Sequence, residues 1–193
     1  MNKVTSILLV GVGGQGTILA GRVLSLAAAL YGGQVKVSDI HGMAQRGGSV
    51  VTQVRFGPRV YAPVIDPGAA DYIVAAEILE ARRWLSYLRP EGVMIVNTQE
   101  IPPLPVLTGA ADYPQGLLEE MRGLAGEIKV VPGLELAGAA GSVKALNLVL
   151  LGVLSRYLPF APADWEAAIT QAVPPRWLEV NKRAFELGRA ASC

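Results

Sequence analysis

The sequence predicts an α/β fold: a mostly parallel sheet with flanking helices, an inserted hairpin and a helical C-terminal end. Three observations predict it. Short runs of branched apolar residues alternate with segments of helical spacing. A glycine-rich turn joins the first run to the first helix. Beyond Val143, prolines divide the chain into helical pieces without intervening strands.

The elements follow in order. Val4 to Val10 is apolar, branched and stopped by glycine, which reads as a buried strand. Gln15 to Tyr31 is a helix, because Leu19, Val23, Leu26, Ala27 and Leu30 share a face, and Gly32-Gly33 end it. Val35 to Asp39 is the second strand, and the three together predict a right-handed crossover between parallel neighbours. Ile40 to Gly48 is a loop. Ser49 to Arg55 alternates as a strand does, and a turn at Phe56-Gly57-Pro58-Arg59 leads to a short strand at Val60 to Ala62, predicting a hairpin there. Asp71 to Ala76 is a strand, Ile78 to Leu88 a helix, Pro90-Glu91-Gly92 a turn, and Val93 to Val96 a strand. The prolines of Ile101 to Pro105 require an extended loop. Gln115 to Ala125 is a helix and Glu127 to Val131 the last strand. Val143 to Leu158, Ala163 to Ala172 and Trp177 to Ala190 complete the helical end. With no linker, repeat or low-complexity tract, residues 1–193 are expected to form one domain.

Composition narrows the function classes. Charged residues are 17% of the chain, below the roughly 25% of ordinary proteins, while apolar residues are 51%. Part of that apolar surplus is expected to be surface meant for a partner. A net charge of +1 gives no broad attraction for nucleic acid or an anionic membrane. The single cysteine, Cys193, and single histidine, His41, exclude an internal disulfide, a Cys/His zinc site and an iron–sulfur cluster held by this chain. Ala145 to Ser155 is short of the ~20 apolar residues of a membrane span. Lys3 and Ile7 to Val10 mimic a secretion leader, but the glycines from Gly11 to Gly16 break the apolar run, so a cytoplasmic chain is expected.

Two segments carry chemistry. Gly11-Val12-Gly13-Gly14-Gln15-Gly16 fits G-x-G-x-x-G between a strand and a helix, the Rossmann-like context. Backbone N–H groups and the helix start favour an anion there. Asp39 follows at about the 20-residue spacing of a ribose-binding acid. This leaves open a free-standing oxidoreductase binding NAD or flavin; it equally leaves open a glycine turn that serves packing alone.

The second segment is His41-Gly42-Met43-Ala44-Gln45-Arg46-Gly47-Gly48-Ser49. Arg46 is a permanently charged fork for a carboxylate or phosphate. His41 donates, accepts or changes charge near neutral pH. Gln45 and Ser49 add hydrogen-bonding groups, and Gly47 and Gly48 let backbone N–H groups turn toward an anion. His41, Gln45 and Arg46 are therefore candidate catalytic or binding residues. The competing reading is a structural turn in which Arg46 pairs with Asp39 and His41 bonds locally.

Together these segments resemble the gamma-type domain of the 2-oxoacid:ferredoxin oxidoreductases, in the form of the indolepyruvate beta subunit. The likeness continues through Val106-Leu107-Thr108-Gly109, Tyr113-Pro114, Asn147, Leu150-Leu151-Gly152, Ala168-Ile169, Val173-Pro174, Glu179, Asn181, Ala184-Phe185 and Gly188. It spans nearly the whole chain. One departure is Asp39, where the family commonly has glutamate; the charge is kept and the reach is one methylene shorter.

The resemblance implies oxidative decarboxylation of a 2-oxoacid, such as indolepyruvate or another aryl pyruvate, pyruvate or a branched 2-oxoacid. It implies a large alpha subunit holding thiamine diphosphate, Mg and iron–sulfur clusters, with coenzyme A as cosubstrate and ferredoxin taking the electrons. This chain would be the small subunit without clusters, inactive alone. Gly11, Gly13, Gly14, Gln15, Gly16, Gly47 and Gly48 would then touch an anion or coenzyme A. A third reading is a scaffold subunit contributing no catalytic side chain. Asp66 and Asp71 are expected to be structural, and Trp84, Trp165 and Trp177 to be core or interface.

Overall fold

A computed structural model describes residues 3–42, 47–124 and 126–192. Strand β1 (Thr5–Val12) is apolar from Ile7 onward because both of its faces are covered. Ile7 and Leu9 enter one core, with Leu8 and Val10 in the other. Helix α1 (Thr17–Leu30) buries Ala20, Val23, Leu24 and Ala27 along one stripe. Then come β2 (Gln34–His41), β3 (Ser49–Gly57), β4 (Ala70–Ala75), α2 (Ile78–Trp84) and β5 (Leu88–Asn97). They are followed by α3 (Leu104–Leu107), α4 (Leu117–Arg122), β6 (Glu127–Val131) and α5 (Gly133–Ala140). Helices α6 (Leu146–Ser155), α7 (Pro162–Ala172) and α8 (Leu178–Ala190) close the chain.

The strands form a six-stranded sheet in the order β2-β3-β1-β4-β5-β6. The pairs β1–β4, β4–β5 and β5–β6 are parallel, and β3 runs antiparallel to both β1 and β2. Only β3 opposes the common direction, so the sheet is mostly parallel, as expected. Helices α2 and α4 cover one face, and α1 with α5 to α8 the other.

The expected crossover between neighbours is corrected. The second strand runs parallel to β1, but β3 is inserted between them, pairing Ile7 with Val54 on one side and Val37 with Val54 on the other. The hairpin is therefore β2–β3, closed by the His41–Gly48 loop, and Val60 to Ala62 is no strand. Side chains satisfy the backbone there instead of a ladder. Arg55 donates to the carbonyls of Ala62 and Val64, Gln53 accepts from the Ile65 N–H, and Gln34 accepts from the Val60 N–H.

Further boundaries move: the loop expected over Ile101 to Pro105 gives way to helix α3 at Leu104, where proline is tolerated in the first turn, and α4 spans only Leu117–Arg122. Helix α2 stops at Trp84 and a 3-10 turn, Leu85–Tyr87, leads into β5. Pro90 to Gly92 lie inside β5, at a register irregularity between the Ala70–Leu88 and Tyr72–Val93 pairs. Helix α5 was not foreseen, because Gly133, Gly138 and three alanines give weak helical patterning. Its first N–H donates to Asn97 Oδ1 at 3.1 Å, which anchors it to the end of β5. Asp71 is structural: it accepts from the Ser6 N–H and pairs with Lys3 and Arg89, both at 3.1 Å.

At the helical end, Trp165 is 1% exposed and stacks between Phe160 and Phe185, with ring centroids 5.4 and 5.2 Å away. All ten residues of α6 are buried. Gly152 and Gly188 let α6 and α8 meet backbone to backbone.

Candidate functional site

The ends of β1, β2, β4 and β5 and the start of β3 lie at one edge of the sheet, as their common direction requires. Both sequence segments are found there. Val12 pairs with Ser49 and His41 with Val50, so the glycine turn and the His41–Gly48 loop emerge side by side. The two are tied directly: the Gly13 N–H donates to the Gly48 carbonyl at 2.7 Å, and the Gly47 N–H to the Gly13 carbonyl at 3.4 Å. Between them lies a cleft of about 310 Å³ lined by Gly13, Gly14, Gly16, Thr17, Ile18, His41 and Val50. His41 is exposed at its rim, with Nδ1 3.3 Å from the Gly42 carbonyl. Gln45 and Arg46 lie outside the described residues, as does Cys193.

The glycine turn is closed from inside. Gln15 Oε1 accepts from the Val12 N–H at 2.8 Å, while its Nε2 donates to the Ala76 carbonyl and to Gln99 Oε1. A Cβ on Gly11 would stand 2.9 Å from Gln15 Oε1, so glycine is needed for that amide to fit. Asn147 donates from Nδ2 to the Gln15 carbonyl. Gly14 and Gly16 have φ of 102° and 83°, which glycine tolerates best. The N–H groups of Val12, Gly13 and Gln15 are thus occupied within the protein. What stays open is the start of α1, whose N-cap Gly16 offers no side chain.

This geometry weighs against a dinucleotide site. Asp39 stands on the edge strand with β3 between it and β1, and it accepts from the Thr52 hydroxyl at 2.5 Å. A ribose-binding acid belongs on the strand beside the glycine turn.

Behind the two loops lies a polar group that the motif reading did not include. Glu77 and Glu80 are 1% and 4% exposed, at the start of α2. Glu77 is the N-cap and accepts from the Glu80 N–H at 2.7 Å. Its Oε1 accepts from the Tyr113 hydroxyl at 2.7 Å and the Ile101 N–H at 3.2 Å. Glu80 accepts from the Ser49 hydroxyl at 2.5 Å and lies 3.5 Å from Arg83. The signal was present as acid, two residues, helical start, acid in Glu77-Ile78-Leu79-Glu80.

Burial pushes the Glu80 carboxyl above its ordinary range, and the Glu77 charge adds to this against the opposing Ser49 hydrogen bond and Arg83. Burial likewise raises Tyr113, with the hydrogen bond to Glu77 next in weight. A carboxyl raised on folding favours the native state while protonated. Its contribution is full below the ordinary carboxylate range and is lost as pH rises through the elevated native value. Relative to Glu80→Gln, the wild type is therefore expected to lose stability over that rise. Urea unfolding of both proteins across a pH series checks this; a wild type that gains stability relative to Glu80→Gln as pH rises would contradict it.

Among the described residues, no group of three or more His, Cys, Asp or Glu could hold a metal ion. No helix among them is long and apolar enough to cross a membrane.

Comparison with known proteins adds the following. A family model described as pyruvate ferredoxin/flavodoxin oxidoreductase matches residues 6–191. The chain is 39% identical to indolepyruvate oxidoreductase subunit IorB of Thermococcus kodakarensis, over 98% of this chain and 96% of that one. It is 38% identical to the subunit of the same name from Pyrococcus horikoshii, with the same coverage. Among solved structures, pyruvate oxidoreductase subunit PORC from Thermotoga maritima superposes with a TM-score of 0.72 at 24% identity, covering 97% of this chain and 96% of that one. That likeness speaks to the fold alone.

Proposed function

Because the chain belongs to the pyruvate ferredoxin/flavodoxin oxidoreductase family, we propose that it is the small, cluster-free subunit of an indolepyruvate or aryl pyruvate:ferredoxin oxidoreductase. The observation that carries this reading is the end-to-end identity with the IorB subunits. Residues 1–193 act as one gamma-type domain in the cytoplasm. The large alpha subunit holds thiamine diphosphate, Mg and the iron–sulfur clusters, and ferredoxin accepts the electrons. This chain's own residues do not fit those groups: it has one cysteine and one histidine, and no acid cluster among the described residues for a metal. Coenzyme A is the acyl acceptor.

In this reading the sheet edge faces the active-site cleft of the complex. An anionic part of the substrate or coenzyme A lies against Gly14, Gly16 and the open start of α1. His41 stands at the rim of the same cleft, and Gly47 and Gly48 hold the loop against the glycine turn. Arg46 neutralises a carboxylate or phosphate, with His41 and Gln45 donating hydrogen bonds to it.

The test is coexpression with a thiamine-dependent large subunit, followed by assay of ferredoxin reduction with indolepyruvate and coenzyme A. Activity confined to the complex is expected. In that complex Arg46→Ala should lower turnover about 10- to 100-fold, the loss of one charge-assisted hydrogen bond, with the fold intact. Wild-type turnover in the variant would remove Arg46 from the machinery. Tight NAD or flavin binding by the lone chain, with no complex formed, would overturn the assignment.

A further inference from the structure

We infer that Glu80, acting through Ser49, is a positioning residue for Gly47 and Gly48, the described end of the His41–Gly48 loop. The sequence places Ser49 as the first residue after that loop, opposite Val12 in the ladder. Its hydroxyl donates to the buried Glu80 carboxylate, which is fixed in turn by α2. The adjacent N-cap, Glu77, holds the 98–113 segment through Tyr113 and Ile101. Gln99 of that segment receives the Gln15 amide, and its carbonyl accepts the Ile78 N–H at 3.1 Å. The start of α2 therefore ties together three places: the glycine turn, Ser49 with the Gly47–Gly48 pair before it, and the segment after β5.

A purely structural account explains this arrangement poorly. Burying a carboxylate costs several kcal/mol unless its hydrogen bonds are good, and apolar side chains of similar size could fill the space at less cost. Glu77 is needed as the N-cap. Glu80 is not: its carboxylate meets the Ser49 hydroxyl, the Trp84 side chain and the half-exposed Arg83, and of these only Ser49 leads to the cleft. What the Glu80 contact specifies is the position of Ser49. From there two backbone hydrogen bonds, Gly13 to Gly48 and Gly47 to Gly13, carry that position to the cleft.

Two measurements test this. The first uses the chain alone and does not depend on the proposed function. Hydrogen exchange at the Gly13 and Gly47 amides should speed about tenfold in Ser49→Ala, as for loss of one hydrogen bond, and return toward wild type in Ser49→Thr. Amides of α6 should not change. Equal exchange in Ser49→Ala and wild type would overturn the inference. So would faster exchange that spreads to α6, since that marks general destabilisation.

The second measurement rests on the function proposed above and uses the reconstituted complex. Ser49→Ala should lower kcat about tenfold at saturating substrate with its affinity for the large subunit unchanged, and Ser49→Thr should recover most of it. Glu80→Gln, whose carbonyl still accepts, should resemble Ser49→Thr. A wild-type complex that turns over normally alongside an unimpaired Ser49→Ala complex refutes the positioning role. A wild-type pair that neither assembles nor turns over refutes the functional reading instead, and leaves the exchange result to decide this one.

Discussion

Gly188→Ala should destabilise the protein by about 3 kcal/mol, the upper end of the usual cost of overpacking. On a helix the substitution normally gains up to about 1 kcal/mol, so the local context must reverse its sign. Here it does. A Cβ at Gly188 would run into the Val149 backbone, including its carbonyl oxygen, and one at Gly152 into the Phe185 carbonyl. Backbone where the buried α6 meets the inner face of α8 cannot step aside as a flexible side chain would. Gly138, in α5, provides the internal contrast, since a Cβ there meets nothing within 4 Å. Gly138→Ala should therefore stabilise by roughly 0.5–1 kcal/mol. Urea unfolding of the two variants, run side by side, decides the matter. If both shift the midpoint upward, the close approach of α6 and α8 is wrong.

Trp165→Ala should cost about 3–5 kcal/mol, the range for deleting a buried aromatic ring. Trp165 links Phe160, which also stacks on Phe56 of β3, to Phe185 of α8. The ring thus couples the sheet to the helical end, and its loss opens a cavity at their junction. Trp165→Phe should cost much less than the alanine change. The buried indole N–H meets no acceptor among the described residues, so phenylalanine removes an unpaired donor along with part of the ring. Denaturant unfolding monitored by circular dichroism distinguishes them. Equal losses in the two variants would show that a phenyl ring gains nothing between Phe160 and Phe185, against this account.

Much of the fold was legible in the sequence. The buried strand β1, helix α1, β4, β6 and the three C-terminal helices follow from apolar runs, helical spacing and prolines. Each is a local property of its own segment. The short helix α5 was not legible, because glycine and alanine carry almost no periodic signal and the anchoring Asn97 lies far away in sequence. The candidate site was half legible. His41 and the glycine turn could be found because glycines and lone ionisable groups stand out in an apolar chain. Glu77, Gln99 and Tyr113 could not be joined to them, since nothing in their spacing says that the loops carrying them share one end of the sheet.

The sequence by itself determined most of the strands and helices with strong apolar patterning, and that two unusual loops follow the first two strands. Only the tertiary structure decided that β3 enters between β1 and β2. That choice removes Asp39 from the neighbourhood of the glycine turn and puts Ser49 there instead. The reason is that backbone hydrogen bonds between strands are made by the same N–H and C=O groups in every residue. Neighbouring strands are selected by how side chains on both faces pack and how the loops close, and those interactions exist only once distant segments have met.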